Sequence, residues 1–277
     1  MTARDLGRKA LRRGCDGLLW VARRRARVAT DQTATRSCLV LAPHPDDETL
    51  GCGALVAQRS KAGARVEIVV ATDGRNSFRS QKLTPGELAA IRHDEVLAAV
   101  AVLGVEPSQV TFLAFEDGSL AEQVEALTVR VAEAIERADV DDLVIPLAID
   151  GHPDHRALAA AALEHVRGAG HRGRVLAYPI WLAKVDAWTA DGQGSSILAE
   201  AASKVADVVA RVPTELVIER RATSAKRRAM VCHRSQISNL TGEADWPMLG
   251  SADLKRFLRD DEIYFVVADQ ERVSRGV

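Results

Sequence analysis

Short runs of β-branched residues alternate with longer alanine-rich segments of helical period along most of this chain, and this alternation limits the fold more than any other feature. It predicts repeated βα units, in which helical crossovers join parallel strands in a right-handed sense. The predicted strands are 38–42, 66–72, 111–115, 143–147 and 175–179, followed by 215–219 and 263–268. The predicted helices are 49–62, 87–103, 120–138, 155–169, 222–233 and a segment that ends near Arg211. We therefore expect an α/β fold with a Rossmann-like, mostly parallel sheet flanked by helices, with extra strands and helices in the C-terminal part.

The length of 277 residues suits one such domain with additions, because no linker divides the predicted elements. We expect a single domain over residues 37–277, preceded by a basic leader over residues 1–36. The leader holds ten Lys and Arg and three Asp, a net charge of +7, whereas the rest of the chain carries −8. Its basic residues flank the apolar centre Leu18-Leu19-Trp20-Val21. This pattern fits either a loosely packed terminal helix or peripheral contact with an anionic membrane.

The composition argues against several classes of protein. Lys and Arg number 37 against 38 Asp and Glu, and aromatic residues make up 4%, so a nucleic-acid partner is not expected. No apolar run approaches the ~18 residues of a membrane span, and the apolar stretch of the leader is too short for a secretory signal. The four cysteines lack CxxC spacing and the density of a disulfide framework. We therefore expect a cytoplasmic protein.

The densest cluster of reactive side chains follows the first predicted strand, in the segment His44-Pro45-Asp46-Asp47-Glu48. Loops at the carboxyl ends of parallel strands are where such sheets bind ligands. Three adjacent carboxylates repel one another, and a bound divalent cation would offset that repulsion. A set of His and Asp without cysteine suits a catalytic zinc ion, which keeps three protein ligands and one open position.

A second cluster, Asp150-Gly151-His152-Pro153-Asp154-His155, follows the fourth predicted strand. Because each cluster follows the end of a strand in the same sheet, their loops are expected to meet over one crevice. Asp154 is placed to hold a neighbouring imidazole, as carboxylates commonly do at metal sites. Each cluster alone also fits a turn or a helix cap, but the pair favours a metal site. Spacing alone leaves open whether His152 or His155 is the ligand.

The paired motifs closely resemble those of the PIG-L or LmbE-like deacetylases, zinc-dependent enzymes that remove the acetyl group from N-acetylglucosamine-type sugars. The resemblance covers about residues 38–180, with shorter matches at Thr72-Asp73-Gly74, Arg92-x-x-Glu95, Asp117-Gly118 and Lys226…His233-x-Ser235-Gln236. It implies one zinc ion held by three ligands, His44, Asp47 and His155. It also implies that Asp46 is the general base and that a charged His152, oriented by Asp154, stabilises the oxyanion. Arg92 would position the substrate or the segment that holds the first motif, residues 44–49, which we call the motif loop. We expect structural roles for Glu48 and Glu95.

Other functions fit parts of the sequence. The same zinc chemistry would serve an amidase that cleaves a larger acyl group or a thiol conjugate. An NAD oxidoreductase is suggested by Gly51-Cys52-Gly53 and Asp73, but the carboxylates before these glycines would repel a pyrophosphate. A non-catalytic metal-binding protein would not need Asp46 and His152 beside a complete ligand set. The basic leader and the stretch from about Trp181 to Pro213 have no counterpart in the family. Trp181 and Trp188 either cover the core or form a sugar-stacking wall.

Overall fold

The computed structural model of this chain describes residues 16–17, 19–21, 23–24, 26–28, 31–169, 171, 173–181, 216–219 and 223–267. In these residues eight strands form one sheet: β1 (Arg27–Val28), β2 (Cys38–Ala42), β3 (Val66–Thr72), β4 (Val110–Phe115), β5 (Asp142–Pro146), β6 (Arg174–Tyr178), β7 (Leu216–Glu219) and β8 (Glu262–Val266). Their order is β1-β7-β8-β6-β5-β2-β3-β4. β8 pairs antiparallel with β6 and β7, and the other pairs are parallel. The mostly parallel α/β sheet predicted from the sequence is confirmed.

The α-helices that the structure describes along their whole length are α1 (Asp31–Ala34), α2 (Asp47–Leu50), α3 (Gly53–Lys61), α4 (Pro85–Leu103), α5 (Val124–Ala138), α6 (Pro153–Ala169), α7 (Thr223–Met230), α8 (Arg234–Ile237) and α9 (Ser251–Phe257). α4 begins with a capping box, in which Thr84 accepts from the Glu87 N–H and the Glu87 carboxylate accepts from the Thr84 N–H. This cap fixes the start of the helix that carries Arg92.

Both faces of the sheet are buried at β2, because alternate residues of this strand point into two apolar clusters. Leu39 and Leu41 of β2 pack in the cluster that α5 and α6 cover. Val40 of the same strand packs in the cluster that α3 and α4 cover. Burial on both faces is typical of parallel strands, and it explains why β2 is a continuous apolar run.

Most predicted strands and helices agree closely with the structure. The predicted strands 38–42 and 66–72 coincide with β2 and β3, and the bounds of the other predicted strands shift by one or two residues. The predicted helix 49–62 is wrong in one respect, because it is interrupted at Gly51-Cys52 and forms α2 and α3. The predicted helix 120–138 begins as a separate 3-10 turn, Leu120–Glu122, before α5. The predicted segment ending near Arg211 and the residue Trp188 lie outside the described residues.

Part of the leader packs against the sheet. Its residues 16–17, 19–21 and 23–24 are helical, and Leu19 is buried in the apolar cluster that includes Ile263. Arg23 Nε lies 3.2 Å from Asp261 Oδ2, whereas Trp20 is 58% exposed. Within the part of the chain that the structure describes, no helix is both long and apolar enough to cross a bilayer. The division into a leader and one domain stays a prediction.

Candidate metal site

The two motif loops meet at the carboxyl edge of the sheet, between the neighbouring strands β2 and β5. From β2 the chain proceeds to β3 and β4 on one side and then crosses to β5 on the other, so the strand order reverses here. Open α/β sheets bind ligands at such a switch point. The loop after β2 supplies His44 and Asp47, and the segment after β5 supplies His152 and His155. The expectation that the two clusters share one crevice is confirmed by their contacts, which include 3.3 Å between His44 Nδ1 and His155 Nε2.

Three side-chain atoms, His44 Nδ1, Asp47 Oδ2 and His155 Nε2, form what we call the ligand triangle. Asp47 Oδ2 lies 3.2 Å from His44 Nδ1 and 3.2 Å from His155 Nε2, and the two nitrogens are 3.3 Å apart. Metal–ligand bonds of about 2.0–2.1 Å in a tetrahedral site give ligand–ligand edges of about 3.3–3.4 Å. The ligand triangle therefore has the dimensions of one face of a tetrahedral zinc site, and its donor set fits zinc.

In the ligand triangle the Asp47 carboxylate lies against two imidazoles, and the pKa values of the three groups depend on one another. Burial alone would lower the pKa of His44, but its hydrogen bonds to Asp154 and Asp47 raise it to about 10. Burial likewise opposes the charge on His155, whose pKa is nevertheless raised to about 9 by Asp47 and Asp150. Burial would raise the pKa of Asp47, but the charges and hydrogen bonds of the two imidazoles lower it well below its usual range. A divalent cation bound here would take the place of the imidazole protons.

Two further groups of ligand atoms meet around His44 in the described residues. One adds His152 to the two triangle histidines, and the other combines His44 with Asp117 and Asp154. The second group uses His44 Nε2, which lies 3.1 Å from Asp154 Oδ2 and 3.3 Å from Asp117 Oδ1. However, the Asp154 carboxylate already accepts the N–H of Gly118 at 2.9 Å and that of Leu120 at 3.1 Å. These bonds suit a carboxylate that holds the His44 ring in place rather than a metal ligand.

The contacts of Asp154 and His152 differ from those that the family resemblance implied. The Asp154 carboxylate contacts His44, and Asp154 reaches His152 only through its backbone N–H, 3.2 Å from His152 Nδ1. The reason lies in the start of α6 at Pro153, which puts Asp154 in the first helical turn and His152 before it. Burial and the neighbouring imidazoles lower the pKa of His152 to about 4.

Asp46 sits in a strained loop that Arg92 supports. Its φ of 152° is one of the few positive φ values at non-glycine residues in the described chain. Arg92 Nη2 donates to the Pro45 carbonyl at 2.6 Å and lies 3.3 Å from Asp46 Oδ2. Gly74, with φ +68°, allows the Arg92 side chain to pass, since a Cβ there would collide with the guanidinium. Burial raises the pKa of Asp46 to about 7, although Arg92 opposes this shift.

Arg92 itself is only 3% exposed, beneath the motif loop. Of the two roles expected for it, this burial favours positioning of the loop and does not support direct contact with a substrate.

Asp150 belongs to the second cluster, and its role is evident only in the structure. This buried carboxylate accepts N–H groups from Ile180 at 2.9 Å and Trp181 at 3.0 Å, and its Oδ1 lies 3.7 Å from His155 Nδ1. Its position in the segment that follows β5 was the signal available in the sequence. The Trp181 ring packs edge-on against Phe257 at 5.9 Å, which supports core packing for this tryptophan.

Comparison with known proteins agrees with this geometry. Residues 39–166 match the family described as PIG-L: GlcNAc-PI de-N-acetylase. The chain is 28% identical over 138 residues to diacetylchitobiose deacetylase of Thermococcus kodakarensis, covering 49% of this chain and 51% of that protein. It is 31% identical over 175 residues to 1D-myo-inositol 2-acetamido-2-deoxy-alpha-D-glucopyranoside deacetylase of Kineococcus radiotolerans, covering 49% of this chain and 48% of the relative. The chain thus spans about half the length of the curated relatives it matches.

A solved structure shows the same fold. N,N'-diacetylchitobiose deacetylase of Pyrococcus horikoshii superimposes with a TM-score of 0.56 at 21% identity, covering 83% of each chain. At this identity the likeness concerns the fold alone. The family match, in contrast, covers both histidine-containing motifs and all three residues of the ligand triangle. Residues 39–166, a little under half of the chain, are thus similar to the PIG-L family.

Proposed function

We propose that this protein is a zinc-dependent hydrolase that removes the N-acetyl group from an N-acetylglucosamine-type sugar or glycoconjugate, giving a free amine and acetate. The ligand triangle carries the proposal, because its edges of 3.2–3.3 Å fit a tetrahedral zinc ion with one side open. The two curated relatives support the substrate class, since both are named as deacetylases of acetamido sugars.

His44, Asp47 and His155 would hold the metal. Zinc bound there would polarise the amide carbonyl and lower the pKa of a water molecule. The protein orients both imidazoles from behind, through Asp154 at His44 Nε2 and Asp150 near His155 Nδ1. Such partners fix the ring orientation and keep the metal-facing nitrogen available.

Asp46 and His152 are the proposed catalytic residues. Asp46, adjacent to the ligand Asp47 and held by Arg92, would accept the proton of the attacking water and deliver it to the leaving amine as the C–N bond breaks. His152 Nδ1 accepts the Asp154 N–H, so its proton lies on Nε2. That N–H would donate to the oxyanion of the tetrahedral intermediate.

The comparisons give no support to the alternatives. The relatives are named deacetylases, not amidases of larger acyl groups or thiol conjugates. The glycines that suggested NAD binding serve close packing, because Gly51 lies against the Tyr178 ring and Gly53 against the Lys226 side chain. Side chains therefore occupy the space that a pyrophosphate would need.

The experiment is to incubate metal-replete protein with a panel of N-acetylglucosaminyl compounds and to measure the free amine and acetate released. We expect equal amounts of both products from the wild type and none from His155→Ala. His93→Ala, which removes an exposed histidine, is the matched control and should keep full activity. Release of a bulkier acid from an acyl panel would favour the amidase, and no hydrolysis of any acetamido sugar would contradict the proposal.

The leader and the location of the protein are the subject of a separate proposal. We propose that the leader contacts anionic membranes, which would bring the site near a glycoconjugate. Trp20 and Val21 are exposed, and the Arg24 guanidinium lies 5.0 Å from the centre of the Trp20 ring. An exposed tryptophan beside basic residues is typical of interfacial helices. A cytoplasmic location, expected from the cysteine pattern, stays a prediction.

A further inference from the structure

A buried polar cluster lies behind the motif loop and includes a residue outside the matched domain. Glu48 and Thr49 belong to the motif loop, whereas His233 lies between α7 and α8, beyond residues 39–166. All three side chains are completely buried. Buried polar groups are costly unless they are paired, so the partners within this cluster indicate its role.

The Glu48 carboxylate links His233 to the backbone of Asp46. Glu48 Oε2 accepts the Asp46 N–H at 3.0 Å. Its other oxygen, Oε1, accepts the Thr49 hydroxyl at 2.7 Å and lies 3.1 Å from His233 Nε2. His233 therefore reaches the proposed base through a single intervening side chain.

The hydrogen-bond donors and acceptors fix which His233 nitrogen matters. The Thr49 hydroxyl donates its proton to Glu48, so it can only accept from His233 Nε2, which is 3.0 Å away. The proton therefore lies on Nε2, directed at both Thr49 Oγ1 and Glu48 Oε1. His233 Nδ1 has no hydrogen-bond partner among the described residues.

The segment that carries His233 is itself anchored. Ser235 donates to the Glu95 carboxylate through its N–H at 2.7 Å and its hydroxyl at 2.6 Å. Trp246 Nε1 donates to the Ser235 carbonyl at 2.9 Å. These bonds give His233 a fixed platform, independent of the motif loop.

We propose that His233 is a positioning residue: by fixing the Glu48 carboxylate, it holds Asp46 in its positive-φ conformation. A strained backbone persists only where its surroundings hold it. Here Arg92 donates to the Pro45 carbonyl on one side of Asp46, and the Glu48 carboxylate, in contact with His233, accepts the Asp46 N–H on the other. Loss of this support lets the Asp46 backbone relax and moves its carboxylate. The inference rests on the proposed function, in which Asp46 is the base.

The test uses two amide substitutions that differ in which histidine nitrogen they replace. The Nε2 of glutamine in His233→Gln reaches the place of His233 Nε2, whereas the Nδ2 of asparagine in His233→Asn takes the place of Nδ1. We expect His233→Asn to lower kcat on the order of 10- to 100-fold, with KM and zinc content unchanged. His233→Gln should retain most of kcat. Asp142→Asn, which removes the carboxylate partner of the buried Arg59 at the start of β5, away from the site, is the control and should lose stability but not kcat.

A crystal structure of His233→Asn gives a readout that needs no turnover. We expect the Asp46 N–H to leave Glu48 and the φ of Asp46 to leave its value near 152°. Wild-type kcat in His233→Asn, an equal loss of kcat in both amide variants that follows their loss of stability, or an unchanged Asp46 backbone would each overturn the inference. A wild type that binds zinc but hydrolyses no acetamido sugar would instead contradict the proposed function, and the Asp46 backbone would still decide the positioning role.

Discussion

Asp154→Asn should weaken zinc binding, because the Asp154 carboxylate holds a proposed ligand rather than His152. Its Oδ2 accepts from His44 Nε2 at 3.1 Å and from the Gly118 N–H, and its Oδ1 accepts from the Leu120 N–H. An asparagine amide has one acceptor oxygen, so its NH₂ group must face one of these donors. The backbone N–H that reaches His152 is unchanged by the substitution.

The size of the effect follows from these contacts. Loss of the carboxylate behind a metal-bound histidine typically costs 10- to 100-fold in metal affinity, or about 1.4–2.7 kcal/mol. The opposed N–H groups, buried without an acceptor, should reduce the free energy of unfolding by a further ~1–3 kcal/mol. The first quantity is measured by competition for zinc with a chromophoric chelator, and the second by urea denaturation.

Asp117→Asn is the control for this prediction. Its Oδ1 also lies near His44 Nε2, at 3.3 Å, but Asp154 is closer and accepts the backbone N–H groups. Asp117→Asn should therefore weaken zinc binding less than Asp154→Asn does. Wild-type zinc affinity in Asp154→Asn, combined with a large loss of turnover, would show that the carboxylate acts on His152 or the substrate and would refute the reasoning.

Four further predictions follow from other parts of the molecule. Asp46→Asn should keep stoichiometric zinc and lose on the order of 10²–10⁴ in kcat, because an amide cannot accept the proton; near-native release of amine would place the base elsewhere. Chelation should abolish amine release and leave the far-ultraviolet circular dichroism intact, because the sheet buries its core without the metal; unfolding would show a structural metal. Asp142→Asn should lower the free energy of unfolding by about 3–5 kcal/mol, because the buried Arg59 loses its carboxylate partner; a change below 1 kcal/mol in urea denaturation would count against this. Burial opposes the charge of Asp142, but hydrogen bonds from Arg174 and the charge of Arg59 hold its pKa at about 2. The contribution of these ion pairs to the free energy of unfolding is therefore present above pH 3.8 and is lost as the pH falls towards 2. Finally, full-length protein should sediment with anionic vesicles at low salt and a Trp20→Ser/Val21→Ser variant should not; equal sedimentation would leave the leader without this role.

The strands were predictable because their burial is a local property of the sequence. β2 is buried along its whole length, so its sequence is an unbroken apolar run that ends at Pro43. The placement of both motifs after strands then followed, and with it their meeting at one edge of the sheet. Composition and spacing therefore indicated where a metal would bind. The assignment of individual ligands required the family resemblance, and the ligand triangle now supports that assignment as a proposal.

Contacts between residues far apart in the chain were not predictable in the same way. The helical period across 49–62 is continuous in the sequence, yet the helix is interrupted. At this point Lys226 Nζ donates to the Leu50 carbonyl at 2.8 Å, and the Tyr178 ring packs on Gly51. Asp154 was expected to serve His152, two residues away, but it contacts His44, 110 residues away. In both cases the residue contacts a partner far away in the chain instead of a neighbour in the sequence, and the local sequence pattern does not indicate that partner.

The proposed ligands and some of the residues that contact the motif loop come from different parts of the chain. The proposed ligands lie within residues 39–166, where two short loops at one sheet edge bring them together. Arg92, within the same range, holds the motif loop from one side, whereas the contacts on its other side come from elsewhere: Lys226 donates to the Leu50 carbonyl, and His233 contacts Glu48. A segment of 39–166 alone would therefore retain the ligand residues and Arg92 but lose the contact of His233 with Glu48. The proposed role of His233 thus makes turnover depend on the C-terminal segment as well as on the ligands and their carboxylate partners.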